Sequence, residues 1–169
     1  SPIQTVIMCA FATLHHNAIP VFVDIEPDTF NLDPKDIERK ITKRTKAIIA
    51  VHMHGLPAKM LEIMEISKKF NIPIIEDCAQ SVLGRINGQL AGTFAHLASF
   101  SFETKKHLSA GEGGMVITND EELGTKVRRM SGIGYKTLEA SQALRANLPE
   151  EFQSPFYKRH NALGWNYRM

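Results

Sequence analysis

Apolar positions in this chain fall into short continuous runs, separated by segments whose apolar residues recur every three to four positions. Lys46-Ala47-Ile48-Ile49-Ala50-Val51-His52 and Asn71-Ile72-Pro73-Ile74-Ile75-Glu76-Asp77 have the length and continuity of strands buried on both faces. Ile19-Pro20-Val21-Phe22-Val23-Asp24, bounded by proline and acid, is read as a buried strand in the same way. Leu97-Ala98-Ser99-Phe100, ending in Ser101, and Gly114-Met115-Val116-Ile117-Thr118 supply two more. Between the runs, Met60, Ile63, Met64 and Ser67 to Phe70 keep helical spacing. Asp33 before Pro34 is a helix start, and Asn119 or Asp120 starts another helix through about Ser131, with Glu121 and Glu122 in its first turn. Residues 4–19 predict a short strand and a helix ending near Asn17 without a clear cap. Gly84 to Gly92 reads as a loop or tight hairpin around Asn87-Gly88.

This alternation predicts an α/β fold with right-handed crossovers and a mostly parallel sheet covered on both faces. Ligands in such sheets bind beyond the carboxyl ends of the strands, where Asp77 and Ser101 fall. Residues 132–165 have little periodicity beyond a helix expected from Thr137 to Asn147, and read as a long connection.

A length of 169 residues suffices for one domain with a real core. The net charge of +2, from 20 basic and 18 acidic residues, argues against nucleic-acid or membrane-surface binding, which needs a concentrated basic face. Cys9 and Cys78 each lie in apolar sequence and read as buried thiols of a reducing compartment. No apolar run approaches the roughly 20 residues of a membrane span, and no signal peptide opens the chain, so cytoplasmic residence is the expectation. The chain begins Ser1-Pro2 and stops at Asn166-Tyr167-Arg168-Met169, which is read as a fragment cut at both ends.

The chemistry concentrates in Phe100-Ser101-Phe102-Glu103-Thr104-Lys105-Lys106-His107-Leu108-Ser109-Ala110-Gly111-Glu112-Gly113-Gly114 and in Glu76-Asp77-Cys78-Ala79-Gln80. An amine facing a carboxylate across strand ends suits pyridoxal phosphate: the amine forms a Schiff base, and the carboxylate keeps the pyridine nitrogen protonated. Strand alternation sends Glu76 and Asp77 to opposite sides, so one of them faces such a cofactor.

The two stretches resemble the DegT/DnrJ/EryC1/StrS family of sugar aminotransferases, whose pattern runs E-D-x-A-Q and then S-F-x-x-x-K-x-x-x-x-G-E-G-G. Val21-Phe22-Val23-Asp24, Val51-His52-Met53-His54-Gly55-Leu56-Pro57 and the closing Gly164-Trp165-Asn166-Tyr167-Arg168-Met169 extend the match over nearly the whole chain. The resemblance implies a three-layer α/β/α, aspartate-aminotransferase-like (fold type I) large domain. Residues 1–169 would then be an incomplete cofactor-binding domain, with 131–165 reaching towards a partner subunit and the C-terminal small domain absent.

It implies Lys106, rather than Lys105, as the Schiff-base lysine, by its five-residue offset from Ser101. As a nucleophile Lys106 must be deprotonated in use, which partial burial favours. Asp77 becomes the pyridinium partner, Gln80 a hydrogen-bonding group near the phenolic oxygen, Ser101 a donor to the phosphate, and Asn166 a contact to the partner's phosphate. Asp77→Asn is then expected to remove most turnover and Glu76→Gln to be much milder. The implied reaction moves an amino group from an amino acid such as glutamate to a nucleotide-linked keto-sugar, in amino-sugar, polysaccharide or antibiotic biosynthesis, within a homodimer that shares its active sites.

Two other readings stand beside it: a dehydratase of the same family and a non-catalytic fold relative. The dehydratases typically carry histidine in place of the lysine, and Lys106 is intact. The sequence departs from the family at Val6, where an aromatic usually stacks on the ring, at Cys9 for a threonine, and at His96 for an acid. These changes predict an altered pocket or a shifted register near residue 6. His52-Met53-His54 and His15-His16 read as core or solvated histidines, since no cysteine or acid has metal-ligand spacing to them.

Overall fold

The computed structural model describes residues 1–136, 138, 154 and 156–165. They form two units, Ser1–Ile117 and Thr118–Met169.

In the first unit the elements follow in order. Helix α1 is Met8–His15, α2 is Pro34–Lys40, strand β1 is Ile48–Val51, and a single 3-10 turn covers Met53–Gly55. Helix α3 is Met60–Phe70 and β2 is Ile74–Asp77. The hairpin strands are β3 (Arg85–Ile86) and β4 (Gln89–Leu90), followed by β5 (Leu97–Ser101) and β6 (Gly114–Ile117).

The main sheet runs β1-β2-β5-β6. Its first three strands are parallel, and β6 returns antiparallel on β5. The sheet is therefore mostly parallel, as the sequence predicts. Side-chain alternation splits it into two faces. Ile48, Ala50 and Ile74 pack with Ile37 of α2 and with Met60, Ile63 and Ile66 of α3. Ile49 and Val51 pack with Cys9 of α1 on the other side. Helices therefore cover both faces, giving the three expected layers.

Local chemistry explains the helix limits. Asp33 accepts from the Lys35 N–H at 2.9 Å and Pro34 occupies the first turn, so α2 starts where its orphan donors are satisfied. No side chain caps α1, in keeping with its sequence. Asn87 and Gly88, at φ 50° and 85°, make the tight hairpin turn between β3 and β4.

Two expectations fail near the start. Residues 4–7 form no strand and lead straight into α1. Ile19 to Asp24 is no buried strand either: Ile19 and Val21 are 77% and 54% exposed, and only Val23 is buried. This segment pairs through one isolated parallel bridge, Pro2 with Val23. The bridge consists of Ile3 N–H to Val23 O and Val23 N–H to Ser1 O, with the Ser1 amine reaching Val21 O at 3.2 Å; the Ile25 N–H that would extend it is taken by its neighbour Asp24 Oδ1 at 2.8 Å.

In the second unit, α4 is Glu121–Ser131, capped by Asp120, which accepts from the Leu123 N–H at 2.9 Å. Glu121 and Glu122 open it and Arg128 and Arg129 close it, each complementing the helix dipole. The expected helix from Thr137 to Asn147 lies outside the described residues, apart from Leu138.

Candidate active site at the carboxyl ends of two parallel strands

Strands β2 and β5 are parallel neighbours, and Asp77 pairs with Ser99. Paired residues share a face and alternate ones repeat it, so Asp77, Ser99 and Ser101 lie on one face at the strand ends. This is the α1 side, because the Cys9 Sγ of α1 stands 3.5 Å from Asp77 Oδ2. Val6, three residues before Cys9, has a half-exposed aliphatic side chain.

Asp77 is half-buried. Its Oδ1 accepts from the Ala79 N–H at 3.0 Å, while its backbone oxygen receives the His52 N–H. Ser101 pairs with Gly114 across β5 and β6. Beyond it the chain makes a loop that closes on itself. The Phe102 N–H donates to Gly113 O, the Ala110 N–H to Phe102 O, and the Thr104 hydroxyl to Gly111 O. Gly111 takes φ 83°, which a side chain would strain.

This loop carries both lysines and treats them differently. Lys105 is exposed, whereas Lys106 is half-buried, and its ammonium makes no ion pair among the described residues. Gln80 follows Asp77 by three residues, and its Oε1 accepts from the His54 N–H at 3.0 Å. With the oxygen engaged, the amide group is left to donate. His54 adopts φ 55° to make this bond. The structure thus gathers Asp77 and Ser101 on one face, with Gln80 and Lys106 on the loops that follow them. Asn166 lies outside the described residues.

Glu76 occupies the opposite face and is no loop-facing charge. It is fully buried, and its carboxylate accepts from the Gly92 N–H at 2.7 Å, the Phe94 N–H at 2.9 Å and the Ala95 N–H at 2.8 Å. The fourth donor is His52, also fully buried, with Nε2 3.0 Å from Glu76 Oε2. His52 Nδ1 accepts from the Ala58 N–H, so the ring proton is on Nε2 and points at Glu76. Burial opposes the charge on Glu76, but the donation from His52 and from the Gly92 and Ala95 N–H groups prevails and holds its carboxyl below the usual range.

His52, Glu76 and Cys78 bring nitrogen, oxygen and sulfur donors within 4.8 Å of one another, a grouping that linear spacing does not reveal. Their donors are already committed: both His52 nitrogens and both Glu76 oxygens are bonded within the fold. Burial, with the Glu76 and Asp77 charges, pushes the Cys78 thiol far up, so it stays protonated. The cluster is a structural knot. His96 is explained too, because its Nδ1 accepts from the Ile74 N–H at 3.1 Å and satisfies the first residue of β2.

Sequence reasoning passed over three features: the Glu76–His52 knot, the His54 N–H that orients Gln80, and Cys9 beside Asp77. The first two span 24 and 26 residues and the third 68, so no local periodicity signals them.

The arrangement is an α/β sheet of the fold-type I class, with a carboxylate and a hydroxyl at adjacent parallel strand ends and an amine on the loop beyond. The pattern of the DegT/DnrJ/EryC1/StrS aminotransferase family matches residues 2–169, and the chain belongs to that family. It is 41% identical to a UDP-N-acetyl-3-dehydro-alpha-D-glucosamine 3-aminotransferase of Acidithiobacillus ferrooxidans, over 97% of this chain and 48% of that protein. It is 48% identical to a pleiotropic regulatory protein of Geobacillus stearothermophilus, over 90% of this chain and 36% of the relative. An aminotransferase from Psychrobacter cryohalolentis superposes with a TM-score of 0.85 at 34% identity, covering 98% of this chain and 40% of that one. The chain spans under half the length of the curated relatives it matches. No helix among the described residues is long and apolar enough to cross a membrane.

Proposed function

We propose that the full-length protein is a pyridoxal phosphate-dependent aminotransferase acting on a nucleotide-linked keto-sugar, with an amino acid such as glutamate as nitrogen donor. The observation that carries this reading is the placement of Asp77 and Ser101 on one face of two adjacent parallel strands, followed by a half-buried Lys106 that makes no ion pair among the described residues. These residues fit the cofactor. A carboxylate with one oxygen held only by a thiol is open to a ring N–H, and an amine without an ion pair is open to a carbonyl carbon.

When bound, pyridoxal phosphate supplies an electron sink for charge developing on the carbon next to the transferred nitrogen. Lys106 Nζ would hold it, and once free would serve as the base and acid that carries the proton of the donor's α-carbon. Asp77 Oδ2 holds the proton of the ring nitrogen. Ser101 Oγ donates to the phosphate, where neutral donors suffice beside backbone N–H groups. The Gln80 amide donates to the phenolic oxygen, in an orientation held by the His54 N–H.

Residues 131–165 are proposed as the connection that carries Asn166 to a neighbouring subunit's phosphate, so that a homodimer is the working unit. Residues 1–169 then supply part of the large domain, with a small domain contributed by sequence outside them. Buried, reduced thiols at Cys9 and Cys78 suit a cytoplasmic setting.

The dehydratase reading is disfavoured by Lys106 itself. A purely regulatory role, as the name of the Geobacillus relative would suggest, needs neither Lys106 nor Asp77, and both are in place. The test is to incubate full-length protein with glutamate and a panel of nucleotide keto-sugars, and to weigh the products. Gain of an amino group on one of them is expected. Loss of water without amination would establish the dehydratase, and unchanged sugars throughout would favour the regulatory role. Mixed dimers of Lys106→Ala and Asn166→Ala subunits should regain part of the activity, and a confirmed heterodimer without recovery would refute the shared site.

A further inference from the structure

We propose that Cys9 is a positioning residue for Asp77, and that Thr5, Cys9 and Asp77 form a relay setting the carboxylate's orientation and the charge it presents to the ring nitrogen. The proposal rests on the reading of Asp77 given above.

Cys9 lies in the first turn of α1 and is buried. Its Sγ is 3.5 Å from Asp77 Oδ2 and 3.4 Å from Thr5 Oγ1. An ionised carboxylate only accepts, so the thiol hydrogen is directed at Asp77. With that hydrogen committed, the Thr5 hydroxyl donates to the sulfur, and the chain of donors runs Thr5 to Cys9 to Asp77. Burial raises the Cys9 thiol, the Thr5 hydroxyl opposes this, and the Asp77 charge adds to it, so the proton stays on sulfur.

The two oxygens of Asp77 are therefore gripped unequally. Oδ1 takes a backbone N–H at 3.0 Å, and Oδ2 takes the thiol at 3.5 Å. A thiol is a weak donor and draws less charge from its acceptor than a hydroxyl at ordinary oxygen–oxygen distance. The contact fixes the plane of the carboxylate while leaving Oδ2 most of its electron density. Cysteine in place of threonine is then a tuning change at the carboxylate, and no breakdown of the pocket.

Two measurements on the full-length protein test this. In the first, made without added cofactor, the infrared S–H stretching band that vanishes in Cys9→Ala identifies this thiol. Asp77→Asn should move that band to higher wavenumber, because an amide oxygen accepts less strongly than a carboxylate. Thr5→Val should also shift it, with Cys9 and Asp77 both retained. A band unmoved by Asp77→Asn would overturn the relay, whatever the protein binds.

In the second, with pyridoxal phosphate loaded, Cys9→Ala should lower kcat by about threefold to tenfold at unchanged KM, the scale of one lost hydrogen bond. It should also change the visible absorption of the bound cofactor, and Cys9→Ser should recover most of both. A Cys9→Ala enzyme with wild-type kcat and spectrum would equally overturn it. A shifted S–H band in a protein that takes up no pyridoxal phosphate would refute the cofactor reading and leave the Thr5–Cys9–Asp77 relay standing.

Discussion

Glu76 and Asp77 are adjacent carboxylates at the end of one strand, and the fold treats them in opposite ways. Glu76 points to the α3 side, is fully buried, and has every oxygen committed to His52 and to three backbone N–H groups of residues 92–95. Asp77 points to the α1 side, is half-buried, and holds one backbone N–H and one thiol. A buried charge is tolerated only when it is fully hydrogen-bonded, and once so bonded it has nothing left to offer a ligand. The difference teaches that the carboxylate with the fewest internal partners is the one available for chemistry. The neighbour's saturated network is what holds the strand end still.

The largest difference between the two should appear in turnover. Asp77→Asn in the full-length protein is expected to lower kcat by on the order of 10²–10³, the effect of losing a preorganised charge at a reacting centre. Its urea midpoint should barely move, since only a thiol and one N–H contact that side chain. If Asp77→Asn unfolded the protein as readily as a core substitution does, the division between the two residues would collapse.

Glu76→Gln should fail in the other direction. The neutral amide turns an N–H₂ donor towards groups that are themselves donors, in a fully buried site. A stability loss of about 3 kcal/mol is expected from the urea midpoint. The much milder effect expected from the sequence concerns turnover; the hydrogen bonds on the opposite face of the strand add a separate expectation, a loss of stability. A Glu76→Gln protein of unchanged stability would mean that the knot is dispensable.

Acid should sharpen the comparison further. The Asp24 N–H, with the Lys40 and Arg39 side chains, holds Asp36 down to about 2. Glu76 is also held below its ordinary value. A carboxyl depressed in the folded state contributes stability above its unfolded value of about 4, and loses it as pH falls towards the folded value. Stability should thus be level from about pH 7 to 5 and fall below about pH 4. Glu76→Gln, having lost one of the two contributors, should show a shallower fall; an unchanged slope would assign the acid sensitivity elsewhere.

Much of the scaffold was legible because its signals are local. Asp33-Pro34, Asp120 and Asn87-Gly88 mark turns and helix starts through bonds to residues one to three positions away. The parallel strands announced themselves as continuous apolar runs. The segment Ile19 to Asp24 carried the same signal without becoming a strand: it makes one bridge, and the Ile25 N–H that would extend the ladder is bonded to Asp24 Oδ1 instead. Family resemblance singled out Asp77, Gln80, Ser101 and Lys106, and the fold places the first and third on one face. What stayed hidden depends on distant chain: Glu76 with His52, Gln80 with His54, and Asp77 with Cys9. A residue's exposure and remaining hydrogen-bond capacity are set by such partners, and no window of sequence contains them.

Everything in this account turns on Lys106 being the residue that takes the cofactor. The direct measurement is borohydride reduction of the full-length protein loaded with pyridoxal phosphate, followed by peptide mapping. The half-buried Lys106 should carry the pyridoxyl label, and the exposed Lys105 should carry none. A label on Lys105, or no label on either, would contradict the site described here.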